Sequence, residues 1–166
     1  MKLTIAAAAL LLLDAGMAAA AQTRPVAAAR ARGVADPRAF VEGVYRTGLR
    51  NGPGQVEHSY SDRLRALFAD QRRDAGNSVG RLDFDYWSNS QDPEISNVRV
   101  TAQQVEGRAD RRIVVARFAN GGRPQVNRFF FERVNGRWFL DDVRNEPEAG
   151  VEASGWTLSL LLKYGD

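Results

Sequence analysis

The chain has no cysteine, one histidine (His58) and only two lysines, Lys2 and Lys163. Each shortage removes a class of chemistry. Without cysteine there is no disulfide, no thiolate nucleophile and no lipid attachment at an export cleavage point, so the fold must rest on its own core. One histidine and no thiol cannot assemble a zinc site, and a serine triad would depend on His58 alone, in a loop between helices. The Gly-x-Ser-x-Gly elbow, the phosphate-binding loop and the dinucleotide fingerprint are all missing. No cofactor is therefore expected. Nor is there a basic run: the arginines are spread through every segment, with the doublets Arg72–Arg73 and Arg111–Arg112, and the net charge is only +3. Nucleic acid is not expected as a partner.

What the 166 residues do contain begins with "MKLTIAAAALLLLDAGMAAAAQ". A lysine, an apolar run from Leu3 to Leu13 and small residues follow the order of a secretory signal, with cleavage expected after Ala21. Asp14 interrupts the run well short of the roughly 20 apolar residues that span a bilayer. The expectation is a signal at 1–21, a flexible lead over 22–35, and one α+β domain over 36–166, periplasmic or secreted, with no stable membrane anchor after cleavage.

Asp36 followed by Pro37 is an N-cap with proline at the first helical position. Phe40, Val41, Val44, Tyr45 and Leu49 then recur at helical spacing, and "NGPG" at 51–54 stops the helix. "QVEHSY" suggests a short helical turn. Ser61 opens a second helix with Asp62 in its first turn, a stripe of Leu64, Leu67 and Phe68, and Gly76 at its end. From Gly80 onward the period becomes two. "RLDFDYW" alternates, placing Leu82, Phe84 and Tyr86 on one face of a strand and Asp83 and Asp85 on the other. Residues 95–106, 111–120, 125–134 and 137–143 read as further strands, joined by Gly121-Gly122 and by the hairpin turn Asn135-Gly136. Short turns between consecutive strands make the sheet antiparallel and meandering. In "ASGWTLSLLLKYGD", Ser154 as cap, Lys163 in the last turn and Gly165 beyond it favour a closing helix over a strand.

Acidic residues beside large aromatics make "LDFDYWSNSQD", 82–92, the first candidate site. Asp83, Asp85, Asn89, Asp92 and Glu94 offer oxygen ligands, but Trp87 and Ser88 stand where a calcium loop needs a ligand and a glycine. The other acidic pair is Asp141-Asp142. Neighbouring strand residues point to opposite faces, so only one of the two should reach a pocket, and pairing with an arginine is the commoner fate of such a group.

The pieces "DPRAFVEGVY", "LDFDYWSNSQDPEISNVRV" and "FERVNGRWFLDDV" resemble, in the same order, a family of small bacterial exported proteins whose domain has no settled function. Asp83, Asp85, Gln91 and Asp92 match its Asp-x-Asp-Pro…Gln-Asp signature, with Tyr86 in place of proline. Gly136, Arg137, Trp138 and Asp141 or Asp142 match its Gly-Arg-Trp-x-x-x-Asp ending. The resemblance implies a nuclear-transport-factor-2-like (cystatin-like) α+β fold, with N-terminal helices packed on a curved antiparallel sheet in a cone, the shape shared with ketosteroid isomerase and scytalone dehydratase. The cone mouth is a usual ligand site there. The expected function is a non-enzymatic module binding a small molecule or a periplasmic protein, through Tyr60, Asp85, Trp87, Gln91, Asp92 and Asp141; a homodimer is compatible with it. The rival expectation is an isomerase- or dehydratase-like enzyme, with Asp85, Asp141 or Asp142 as base and Tyr60 or Tyr86 as donor. An inhibitor or immunity protein is the third.

Overall fold

A computed structural model describes residues 32–47, 56–76, 78–147 and 155–165. Helix α1 runs Pro37–Arg46, and the Asp36 carboxylate accepts from the backbone N–H groups of Arg38 and Ala39, satisfying two donors the first turn leaves open. A single 3-10 turn covers Glu57–Ser59, and α2 spans Asp62–Ala75 with the Ser61 hydroxyl accepting from Leu64 N–H. Strands β1 (Ile95–Val105), β2 (Arg108–Asn120), β3 (Arg123–Val134) and β4 (Arg137–Glu146) follow. The two-residue β5 (Trp156–Thr157) leads into α3 (Leu158–Tyr164). The sheet has five strands in the order β1-β2-β3-β4-β5, every pairing antiparallel. The α+β class, the meander and the closing helix are as the sequence indicates. The expected signal segment, Leu49, "NGPG" and Ser154 lie outside the described residues.

Hairpin turns set the registers. Gly121-Gly122 and Asn135-Gly136 each have positive φ at both positions, the type I′ geometry whose twist suits neighbouring strands. One sheet face carries Val114, Ala116 and Phe118 of β2, Phe129 and Phe131 of β3, and Trp138, Leu140 and Val143 of β4. Val41 and Tyr45 of α1, Leu64 and Phe68 of α2, and Leu158 and Leu162 of α3 pack in the same cluster. Leu140 and Val143 are three positions apart and would face opposite ways in a regular strand. They both point inward because β4 bulges: Phe131 pairs with Leu140 and Phe130 with Asp142, leaving Asp141 as the extra residue.

The ordered unit reaches back before Asp36. Val34 exchanges backbone hydrogen bonds with Trp138 at 2.8 and 2.9 Å, and Arg32 and Gly33 donate to the His58 carbonyl. Gly33 has φ +59 and its Cα lies so close to β4 that an added Cβ would sit 2.8 Å from the Phe139 ring and 2.9 Å from the Trp138 carbonyl oxygen. Only glycine fits there.

Candidate functional site

The strand expected over 81–87 does not form. Residues 82–84 are irregular and 86–89 form one tight turn, closed by an isolated bridge between Asp85 and Ser90. The cause is local. One oxygen of the Asp85 carboxylate accepts from Trp87 N–H at 3.1 Å and the other from the Ser88 hydroxyl at 2.9 Å, an Asx-type turn that captures the backbone before a ladder can. Asn89 takes positive φ, and its side chain is held at both ends, donating to Gln125 and accepting from the Trp156 indole. Asp85 is thus half-buried rather than set on a solvent face, while Asp83 is exposed. Tyr86 and Trp87, consecutive, are both buried, not split between an inner and an outer face as the alternation implies.

The turn is fastened to the sheet by Asn127 of β3, a fully buried residue. Its amide donates to the carbonyls of Trp87 at 2.9 Å and Tyr86 at 3.1 Å, while its oxygen accepts from Asn145 at 2.9 Å. The Tyr45 hydroxyl donates to the Trp87 carbonyl at 2.7 Å. Trp87 then stacks on Phe129, ring centres 4.6 Å apart, with Phe40 edge-on at 6.1 Å. At the other end of the segment the Gln71 amide, turned so that its oxygen faces them, accepts from the backbone N–H of Arg81 and Leu82.

Between this segment, α1 and α2 lies a cleft of about 1370 Å³. Phe40, Gly43 and Val44 form one wall, Tyr60, Phe68 and Gln71 a second, and Leu82, Phe84, Asp85, Tyr86 and Trp87 a third. Apolar groups dominate; Glu57 and Arg72, paired at 3.3 Å, Asp83 and Gln91 add charge and polarity. The Tyr60 and Tyr86 hydroxyls meet at 2.5 Å. Burial, the larger effect, and nearby carboxylates push both phenols well above the ordinary tyrosine range, so both stay protonated.

Of the six residues singled out in the sequence, Tyr60, Asp85, Trp87 and Gln91 line this cleft. Asp92 does not: it is exposed, and its backbone closes a small turn with the Ser90 hydroxyl. Asp141 lies elsewhere, on a smaller hollow of about 420 Å³ with Arg63, Arg111 and Arg144. The Arg63 guanidinium contacts Asp141 at 3.0 Å and Asp142 at 3.5 Å. Burial alone would raise Asp141, but its hydrogen bonds from Arg63 and Ser61 outweigh that and hold it below the usual carboxylate range. Both aspartates serve helix starts. Asp141 accepts from Ser61, the cap of α2, and Asp142 accepts from the backbone and hydroxyl of Ser159 in α3. The expectation that only one could be used fails because of the bulge, which a residue-by-residue alternation ignores. Among the described residues no three acidic or histidine groups gather at metal spacing.

Sequence reasoning missed Asn127, Phe40, Gly43 and Gln71. Gly43, a glycine inside a helix, was the available signal, since such a residue marks a site where something other than helix propensity matters. The chain matches no family model, no curated protein and no solved structure.

Proposed function

We propose that the protein is an exported, non-enzymatic binding module whose cleft takes a small, mainly apolar molecule. The observation that carries this reading is the cleft itself: large, lined by aromatic and aliphatic side chains, with a few converging polar groups. Export rests on the N-terminal pattern of the sequence. The resemblance to nuclear-transport-factor-2-like proteins supports ligand binding as such, and a five-stranded meander with helices on one face is the coarse arrangement that a cone would need; the cleft itself is lined by residues between 39 and 93 and not by the strands.

Catalysis of the isomerase or dehydratase kind needs a carboxylate free to accept a proton beside the ligand. Asp141 and Asp142 lie outside the cleft, bound to Arg63, Ser61 and Ser159, and both oxygens of Asp85 are already accepting hydrogen bonds. Those commitments favour binding over turnover.

Gly43 provides the test, because a Cβ there meets nothing within 4 Å. Titration with the neutral dye Nile red should give saturable, blue-shifted emission with the wild-type protein, and Gly43→Trp should abolish it while the fold persists. Absence of saturation in the wild type, or an unchanged response in Gly43→Trp, would overturn the reading.

A further inference from the structure

The cleft holds more hydrogen-bond donors than it can use. Tyr60 and Tyr86, 1% and 2% exposed, carry one proton each, yet their hydroxyls share a single hydrogen bond. Whichever phenol donates, the other keeps a proton with no protein acceptor among the described residues. Beside them the buried Trp87 indole N–H makes no well-formed hydrogen bond; it lies against Tyr86, whose oxygen is at best a poorly aligned acceptor for it. Three donors therefore surround one short contact on the cleft wall, and native proteins seldom leave buried donors unmet.

Charge narrows what can meet them. The Asp85 carboxylate acts on both phenols, while at Tyr60 the paired Glu57 and Arg72 act in opposite senses. A ligand carboxylate or phosphate would enter a site already under negative potential and give up its hydration there. A neutral oxygen carries no such penalty.

We infer that the ligand is an apolar molecule bearing a neutral acceptor oxygen of the carbonyl type, which takes the one phenolic proton that the Tyr60–Tyr86 pair leaves free and lies beside the indole N–H of Trp87. The inference rests on the cleft being a ligand site, and it assigns the end of the cleft at which the ligand's one polar atom lies. The phenol pair acts as one fixed donor, protonated across the physiological range, so recognition should not change with pH between 6 and 8.

A matched pair of probes separates this inference from the reading beneath it: 2-acetylnaphthalene and 2-ethylnaphthalene, alike in shape but for a carbonyl in place of a methylene. The ketone should bind at least about tenfold tighter, as expected when a buried donor gains an acceptor. With a 13C-labelled carbonyl, its stretching band in the complex should fall below that in hexane. In Tyr60→Phe/Tyr86→Phe most of the preference should vanish while the hydrocarbon still binds. Removing both partners of a buried bond is close to neutral for stability, and a thermal melt checks the fold. Equal affinity for the two probes, or a preference surviving intact in the double variant, would mean that water serves the donors and would overturn the inference alone. If neither probe binds, the cleft reading falls and the inference with it.

Discussion

Replacing Asn127 by leucine should loosen the wall of the cleft without altering any side chain that lines it. The side chains are similar in volume, so the loss is mainly one of hydrogen bonds. The Tyr86 carbonyl loses its 3.1 Å donor and has no other among the described side chains, whereas the Trp87 carbonyl keeps the Tyr45 hydroxyl at 2.7 Å. Asn145 loses its 2.9 Å acceptor and keeps only contacts at 3.4 Å. A buried polar group left unpaired costs about 1–3 kcal/mol, and two groups are affected. Part of this is offset by the added apolar surface, roughly 1 kcal/mol. The net expectation is a loss of about 2–4 kcal/mol, equivalent to a melting point lower by roughly 10 °C for a domain of this size. Urea denaturation followed by tryptophan fluorescence would measure it. Asn127→Asp should do worse at neutral pH, because a buried carboxylate would then face two carbonyl oxygens. A leucine variant within about 0.5 kcal/mol of wild type, at unchanged m-value, would refute the view that Asn127 fastens the 86–89 turn to the sheet.

Three further outcomes follow from single contacts. Gly43→Ala should stabilise the protein by about 0.5–1 kcal/mol, since the site is helical and the added methyl meets open space, and a denaturant midpoint would read the gain. Gly33→Ala should cost upwards of about 2 kcal/mol, because positive φ and backbone contacts at 2.9 Å leave no room, and it should show as a depressed melting temperature. Asp141, whose carboxyl is held low in the folded protein, contributes stability that is fully present above its unfolded pKa of about 3.9 and is lost as pH falls through the folded value. Asp141→Asn should therefore be less stable than wild type at pH 7, with the gap closing in acid, as paired melts at pH 7 and pH 2.5 would show.

Elements whose logic is local were legible in the sequence. Asp36-Pro37, Ser61 and Asn135-Gly136 act through their own backbone neighbours, and each does so in the structure. "LDFDYW" misled because alternation is only a correlate of strand. The deciding interaction, the Asp85 carboxylate on Trp87 N–H and Ser88, favours a turn whatever the hydrophobic pattern. The fate of Asp141 and Asp142 was hidden differently. Alternation assumes a regular ladder, and the bulge depends on a register set by the cross-strand partners Phe130 and Phe131. The cleft was the least legible part, because its walls come from segments as far apart as Phe40 and Trp87 and are joined through Asn127 on β3, a single polar residue inside a run that reads as strand.

The central claim, that a small apolar molecule occupies this cleft, is tested most directly by the indole N–H signals of the three tryptophans in a 15N-labelled sample. Trp87 lines the cleft, Trp138 lies beneath Arg112 on the sheet, and Trp156 is hydrogen-bonded to Asn89. Saturation with 2-acetylnaphthalene should move the Trp87 resonance strongly and leave the other two within a linewidth. An unmoved Trp87 signal, or a shift centred on Trp138, would contradict the account.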